Sequence, residues 1–153
     1  MANKKIWLGI PVMVLAFGMM VAGCGGSPTP RAPSTFVTGS GGETTVLLRQ
    51  GLDFEQAFRE VLFILNRHGF EPEMMQPEAG YIRTRWNTTW NNPNTAAETR
   101  YRVRIVVTFN PGRTQVFINA PAERLTDGTN WVVGYDTKAI DTMRTDITQI
   151  IGN

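Results

Sequence analysis

The stretch Asp53-Phe54-Glu55-Gln56-Ala57-Phe58-Arg59-Glu60-Val61-Leu62-Phe63-Ile64-Leu65-Asn66-Arg67-His68-Gly69-Phe70 decides the class of fold. Phe54, Ala57, Phe58, Val61, Leu62 and Leu65 recur at i, i+3, i+4, i+7, i+8 and i+11, one apolar stripe on a helix of 3.6 residues per turn. Asp53 suits the N-cap, and Gln56 three residues later completes a capping-box pattern. Gly69 suits the left-handed residue after the last turn, and Phe70 the apolar contact beyond it. The spacing predicts a helix over 54–68. A helix with one apolar face must bury it against a second layer.

That layer is written on either side of the helix. Thr44-Thr45-Val46-Leu47-Leu48-Arg49 reads as a short strand, broken by Gln50-Gly51. Residues 70–75 read as extended, with Pro72 placing them at an edge or a bulge. Pro77-Glu78-Ala79-Gly80 makes a turn. The run 81–90 alternates, with Ile82, Thr84, Trp86, Thr88 and Trp90 on one face and Tyr81, Arg83, Arg85 and Asn87 on the other. After a polar loop opened by Asn91-Asn92-Pro93-Asn94, residues 100–109 alternate again. Tyr101, Val103, Ile105, Val107 and Phe109 point one way, and Arg100, Arg102, Arg104 and Thr108 the other. Asn110-Pro111-Gly112-Arg113 suits a type II turn. Residues 114–120 form the next strand, with Val116 and Ile118 inward and Phe117 outward.

Residues 121–135 are less legible. Asp127-Gly128 marks a turn, and Trp131-Val132-Val133 fits a short strand or a buried loop equally. Asp136 can cap a final helix, in which Ile140, Met143, Ile147, Ile150 and Ile151 form a second apolar stripe. The layout is β-α-β-β-β-α, with room for an extra strand near Phe70 or Trp131. The expected fold is α+β: an antiparallel meander of about four to five strands carrying two amphipathic helices on one face.

The N-terminus carries an address. Met1 to Lys5 is basic, and residues 6–21 are mostly apolar and contain Pro11. Sixteen helical residues reach about 24 Å, short of the roughly 30 Å hydrocarbon core, although a span borrowing Ala22 and Gly23 remains open. The basic–apolar–small order is that of a secretory signal. Its end, Val21-Ala22-Gly23-Cys24, resembles a bacterial lipobox. The resemblance implies cleavage before Cys24, a diacylglyceryl group on its thiol and usually an acyl group on its amine. Two or more chains give stable anchoring where one gives marginal binding. Gly25 follows the cysteine where Asp would favour inner-membrane retention, so the resemblance leans toward the outer membrane, facing the periplasm. Residues 1–23 are thus expected to be a signal peptide, 24–42 a lipidated Cys and a Gly/Pro/Ser/Thr tether, and 43–153 one globular domain. Phe36 and Val37, the bulky apolar residues of the tether, either dock on the domain or stand exposed.

The run from Asp53 to Trp86 has a capped helix, Gly-Phe-Glu, a turn with Glu-Ala-Gly, then Tyr-Ile-Arg-Thr-Arg-Trp. It resembles the helix-then-meander of small envelope lipoproteins with helix-grip domains, such as the C subunit of the outer-membrane β-barrel assembly machine. The resemblance implies an accessory, non-enzymatic envelope role and carries over no site residue.

Composition narrows the function. Charged residues are 18% and hydrophobic residues 42%, the balance of a globular chain. The 15 basic and 13 acidic residues give +2, but two of the cations are Lys4 and Lys5. Without the signal the charge is balanced, which speaks against nucleic acid as a partner. One Cys and one His leave little material for a disulfide framework, a metal site or a His-dependent triad. His68 falls in the last turn of the first helix, where a cation meets the helix dipole favourably. No G-x-S-x-G, H-E-x-x-H or P-loop is present. Glu71, Glu73 and Glu78 are expected in an exposed segment with nothing to raise a pKa. No catalysis and no cofactor beyond the lipid on Cys24 are expected.

Arg83, Arg85, Arg100, Arg102 and Arg104 share one expected sheet face. They form either a solvated face partly neutralised by acids such as Glu98, or a surface for a partner, an anionic lipid or a cell-wall polymer. Trp86 and Trp90 are expected in the core, and Met74-Met75 as adaptable packing. Two functions follow. One is an adaptor or scaffold for an envelope protein complex. The other is a ligand-binding lipoprotein that uses the arginine face.

Overall fold

Residues 101–126 build the hairpin around which everything else is arranged. In the computed structural model, which describes residues 35–90, 101–126 and 128–153, four strands come from this hairpin: β5 (Tyr101–Val103), β6 (Val106–Phe109), β7 (Gln115–Asn119) and β8 (Pro121–Thr126). β6 pairs with β7 (Val106↔Asn119) and β5 with β8 (Val103↔Ala122), so one register runs through both halves. The ladder is interrupted where Arg104 donates to Pro121 O at 3.0 Å. Proline has no N–H to return the bond, and the ribbon divides there between two sheets.

Strands add on both flanks. On the β6 side lie β4 (Tyr81–Thr84) and, outside it, β3 (Pro72–Gln76). On the β7 side lies β2 (Glu43–Leu47), and on the β8 side β9 (Asn130–Asp136), covered in turn by β1 (Phe36–Thr38). The result is a five-stranded antiparallel sheet, β2-β7-β6-β4-β3, and a four-stranded one, β1-β9-β8-β5. The α+β class and the antiparallel pairing agree with the sequence; the division into two sheets of nine strands replaces the single meander of four to five.

Two helices close the core. The first, α1 (Phe54–Arg67), is capped by Asp53, whose carboxylate accepts from Gln56 N–H at 3.0 Å; it buries Ala57, Phe58, Val61, Ile64 and Leu65. The second, α2 (Thr137–Ile151), is capped by Asp136, which accepts from Ala139 N–H at 2.7 Å; it buries Ala139, Ile140, Met143, Ile147 and Ile151. They meet the inner face of the strands: Val46, Ile82, Val103, Ile105, Val107, Phe109, Val116 and Ile118 belong to the same buried cluster. The alternation read in 100–109 holds from Tyr101 to Phe109, every odd-numbered residue being buried. At about 25 cal/mol per Å² of apolar area, this single cluster is the dominant favourable term in folding.

Four expectations change. The tether, read through Gly42, contains β1: Phe36 packs against the core with its ring edge-on to Tyr101, while Val37 is exposed. The turn at Asn110–Arg113 has its i→i+3 bond, 2.8 Å from Arg113 N–H to Asn110 O, but the positive φ falls on Arg113 (51°) and not on Gly112. A type II turn requires it at the third residue, so that expectation fails. Met74 and Met75 stand exposed on an edge strand, not in packing.

The fourth change concerns register. Arg83 faces Val106, but Asn87 faces Val103, so 84–86 holds one residue more than the opposing strand. This is a β-bulge. Thr84, fully buried, stitches it: its hydroxyl accepts Ile105 N–H at 2.9 Å and donates to Arg85 O at 3.1 Å. One extra residue inverts every later side chain. Trp86, expected in the core, therefore faces outward. Trp90 still packs on the core, because Asn87 Oδ1 accepts from the N–H groups of Thr89 (2.8 Å) and Trp90 (2.9 Å) and turns the chain back.

Candidate interaction surface

The outer face of β5, β8 and β9 collects what the bulge and the alternation send outward. Arg102 faces Glu123 across the strands, and its Nε donates to Glu123 Oε2 at 2.7 Å. The same guanidinium lies 4.8 Å from the Trp86 ring centre and 4.4 Å from that of Trp131. Arg104 also lies over Trp86, 4.4 Å from its ring centre. The order across the surface is Trp131, Arg102, Trp86, Arg104, a stack held by cation–π attraction of about 0.5–2 kcal/mol per contact. Beyond Trp131 the surface is apolar. Trp131 is 38% exposed, Val133 61% and Val37 37%. Tyr135 continues the parity of Trp131 and Val133, and Val37 pairs directly with it. A Cβ on Gly42 would sit 2.2 Å from the Tyr135 ring, so only glycine lets the β1–β2 connection pass so close.

The five sequence-selected arginines do not converge. Arg83, Arg102 and Arg104 share the outer face. Arg83 is paired with Glu73 at 3.2 Å and Arg102 with Glu123. Arg85 follows the bulge and leaves the alternation of Arg83. Arg100 and Cys24 lie outside the described residues, as does Glu98. A pocket in which several guanidinium groups meet one small anion is not assembled by Arg83, Arg85, Arg102 and Arg104.

The second accessible surface is an edge. β3 is the outermost strand of its sheet, and Glu73, Met74, Met75 and Gln76 are all exposed. Pro72 and a bulge between Pro72 and Met74 interrupt its pairing at the start only.

Other polar clusters are occupied in holding the fold. His68 Nε2 lies 2.6 Å from Asp146 Oδ2, and Arg67 donates to the same oxygen, tying the end of α1 to α2. The His68 hydrogen bond and the charges beside it hold the Asp146 carboxyl below the usual carboxylate range, burial opposing them. Asp136 is fully buried and accepts from Tyr101 OH and, at 3.0 Å, from Thr35 Oγ1. Burial first, then the bond to Asp136 and its negative charge, pushes the Tyr101 phenol far up. A cleft of about 540 Å³ near Leu47, Arg49, Leu52, Phe54 and Arg113 is open and shallow, and its carboxylate, Asp53, is engaged as the α1 cap. Among the described residues no three His, Cys, Asp or Glu side chains are grouped as metal ligands, and no helix is long and apolar enough to cross a membrane.

Sequence reasoning missed Trp131 and Val133 as a surface pair, and it missed Glu123. The signal was present: once 130–136 is read as a strand, Trp131, Val133 and Tyr135 share one parity. No protein-family model and no curated protein matches the chain.

Proposed function

We propose that the chain is a bacterial envelope lipoprotein, acylated at Cys24, whose domain acts as a non-enzymatic adaptor that docks a protein partner on the β3 edge. The lipobox-like Val21-Ala22-Gly23-Cys24 supports the anchor, and Gly25 supports the outer membrane. The observation that carries the adaptor role is the bare edge: five residues with four exposed, including Met74 and Met75. An unpaired antiparallel edge offers alternating N–H and C=O groups to an incoming strand. Methionine beside it adapts to the partner's side chains. The likeness to helix-grip envelope lipoproteins belongs to the same reading, as does the absence of catalysis and of a cofactor.

The test is in-cell crosslinking and affinity capture with full-length protein tagged after Asn153, beside Met74→Lys/Met75→Lys, which places charge on the edge. A discrete protein set held by the wild type and lost by the folded variant supports the reading. Equal capture by both, or no reproducible set, refutes it. The mass of the mature protein tests the anchor separately: it should begin at Cys24 and carry the acyl groups, and Cys24→Ser should abolish them.

A further inference from the structure

We infer that the outer face of the β1-β9-β8-β5 sheet rests on the lipid surface, with Trp131, Val133 and Val37 at the headgroup boundary and Arg104 beside the lipid phosphates; this rests on the lipoprotein reading. Three observations carry it. The first is composition in place. Trp131 and Val133 alternate on β9, Val37 of β1 lies on the same face beside them, and all three are large apolar groups more than a third exposed. A tryptophan with one wet edge and a guanidinium that can extend toward phosphate are the residues that favour the boundary between headgroups and acyl chains.

The second is the route of the chain. β1 is the strand that arrives from the N-terminus, and it forms one edge of this same face. Twelve residues lie between Cys24 and Val37, a distance of thirteen peptide steps. Thirteen peptide steps span at most about 45 Å. An anchor at Cys24 therefore keeps this face within about 45 Å of the bilayer. At that span the effective concentration is in the millimolar range, so a patch with only millimolar intrinsic affinity is seated about half the time.

The third is charge. Of the described charged groups in the stack, Arg102 is neutralised by Glu123 and Arg104 is not, and the Arg104 Nε is buried without a hydrogen-bond partner. A phosphate oxygen approaching the stack meets a guanidinium charge that no described carboxylate balances. The β3 edge lies on the other side of the central hairpin from β1, so a seated domain leaves that edge open to a protein in the periplasm.

The experiment uses full-length protein, purified in its mature form and reconstituted into vesicles of phosphatidylethanolamine and phosphatidylglycerol, with or without bromine on the acyl chains. Tryptophan emission is compared between wild type, Trp131→Phe and Val133→Asp. The expected result is that the emission lost in Trp131→Phe is quenched by brominated lipid at least twofold more than the emission that remains. In Val133→Asp this extra quenching disappears although the protein still floats with the vesicles. No extra quenching of Trp131 in a protein whose mass shows acylated Cys24 overturns the inference and leaves the lipoprotein reading standing. A mature mass without acyl groups overturns both. Trp131 shielded from lipid by a co-purifying protein also overturns it, and assigns the face to that protein.

Discussion

Replacing Thr84 by Val keeps the volume and removes one oxygen. The hydroxyl it deletes is fully buried and makes two bonds, accepting from Ile105 N–H at 2.9 Å and donating to Arg85 O at 3.1 Å. Ile105 is itself fully buried, so its N–H has no water to turn to. Leaving one buried group unpaired costs about 1–3 kcal/mol, and the lost bond to Arg85 O adds about 0.5–1.5 kcal/mol. The sum, about 1.5–4.5 kcal/mol, is a large part of the 5–15 kcal/mol typical of a domain. With a urea slope of about 1.5 kcal/mol per molar, the midpoint falls by roughly 1–3 M. Thr84→Ser keeps the oxygen and loses only a methyl group, so it should cost about 1 kcal/mol. Urea titration of wild type, Thr84→Val and Thr84→Ser, followed by far-UV circular dichroism, measures both. The bulge also sets which way Trp86 points, so Thr84→Val should change the near-UV spectrum as the Arg102–Trp86 stack loosens. A Thr84→Val protein within 0.5 kcal/mol of wild type, and less affected than Thr84→Ser, would refute the account of the bulge.

Two further outcomes are expected. Asp146→Asn leaves an amide oxygen but removes the negative charge that His68 and Arg67 share, at about 1–3 kcal/mol near neutral pH. Because the folded carboxyl is held below its unfolded value of about 3.9, its contribution is fully present above that pH and is lost as pH falls through the folded pKa; wild type and variant should converge in acid titration below about pH 4. Gly134→Ala would bring a Cβ to 2.1 Å from Val37 O, backbone that cannot yield without moving β1. Hydrogen exchange should then show Val37 and Gly39, whose N–H donates to Val133 O at 3.3 Å, losing protection while β6 and β7 keep theirs.

The helices and the central hairpin were legible because their periods are long and clean. The stripe from Phe54 to Leu65 and the alternation from Tyr101 to Phe109 each leave one reading, and burial follows both. The cap of α2 at Asp136 was equally plain. What escaped has local causes. β1 is three residues between a Pro/Ser/Thr run and four residues containing three glycines, too short to show a period. β9 hid because Trp131-Val132-Val133 is an unbroken apolar triple, which alternation cannot sort until its partner β8 is known. The bulge hid because sequence parity counts residues on one strand and cannot see that the opposite strand has one fewer. That single unseen residue moved Trp86 from the expected core to the surface. It also took Arg85 out of the face it was expected to share with Arg83.

The two ends of the domain close the sheet together. Phe36 pairs opposite Asp136, a hundred residues on, and Thr35 reaches the same carboxylate. Asn153 donates to Leu47 O and Arg49 to Ile150 O, across similar separations. Contacts so far apart in sequence are closed late, after the loops between them have lost their freedom. The first strand, β1, therefore has no pairing partner until β9 exists, and β2 has none until β7 does. For a chain exported in the way proposed, that delay keeps the polypeptide threadable: the β1 and β2 margins stay open until their distant partners have been delivered.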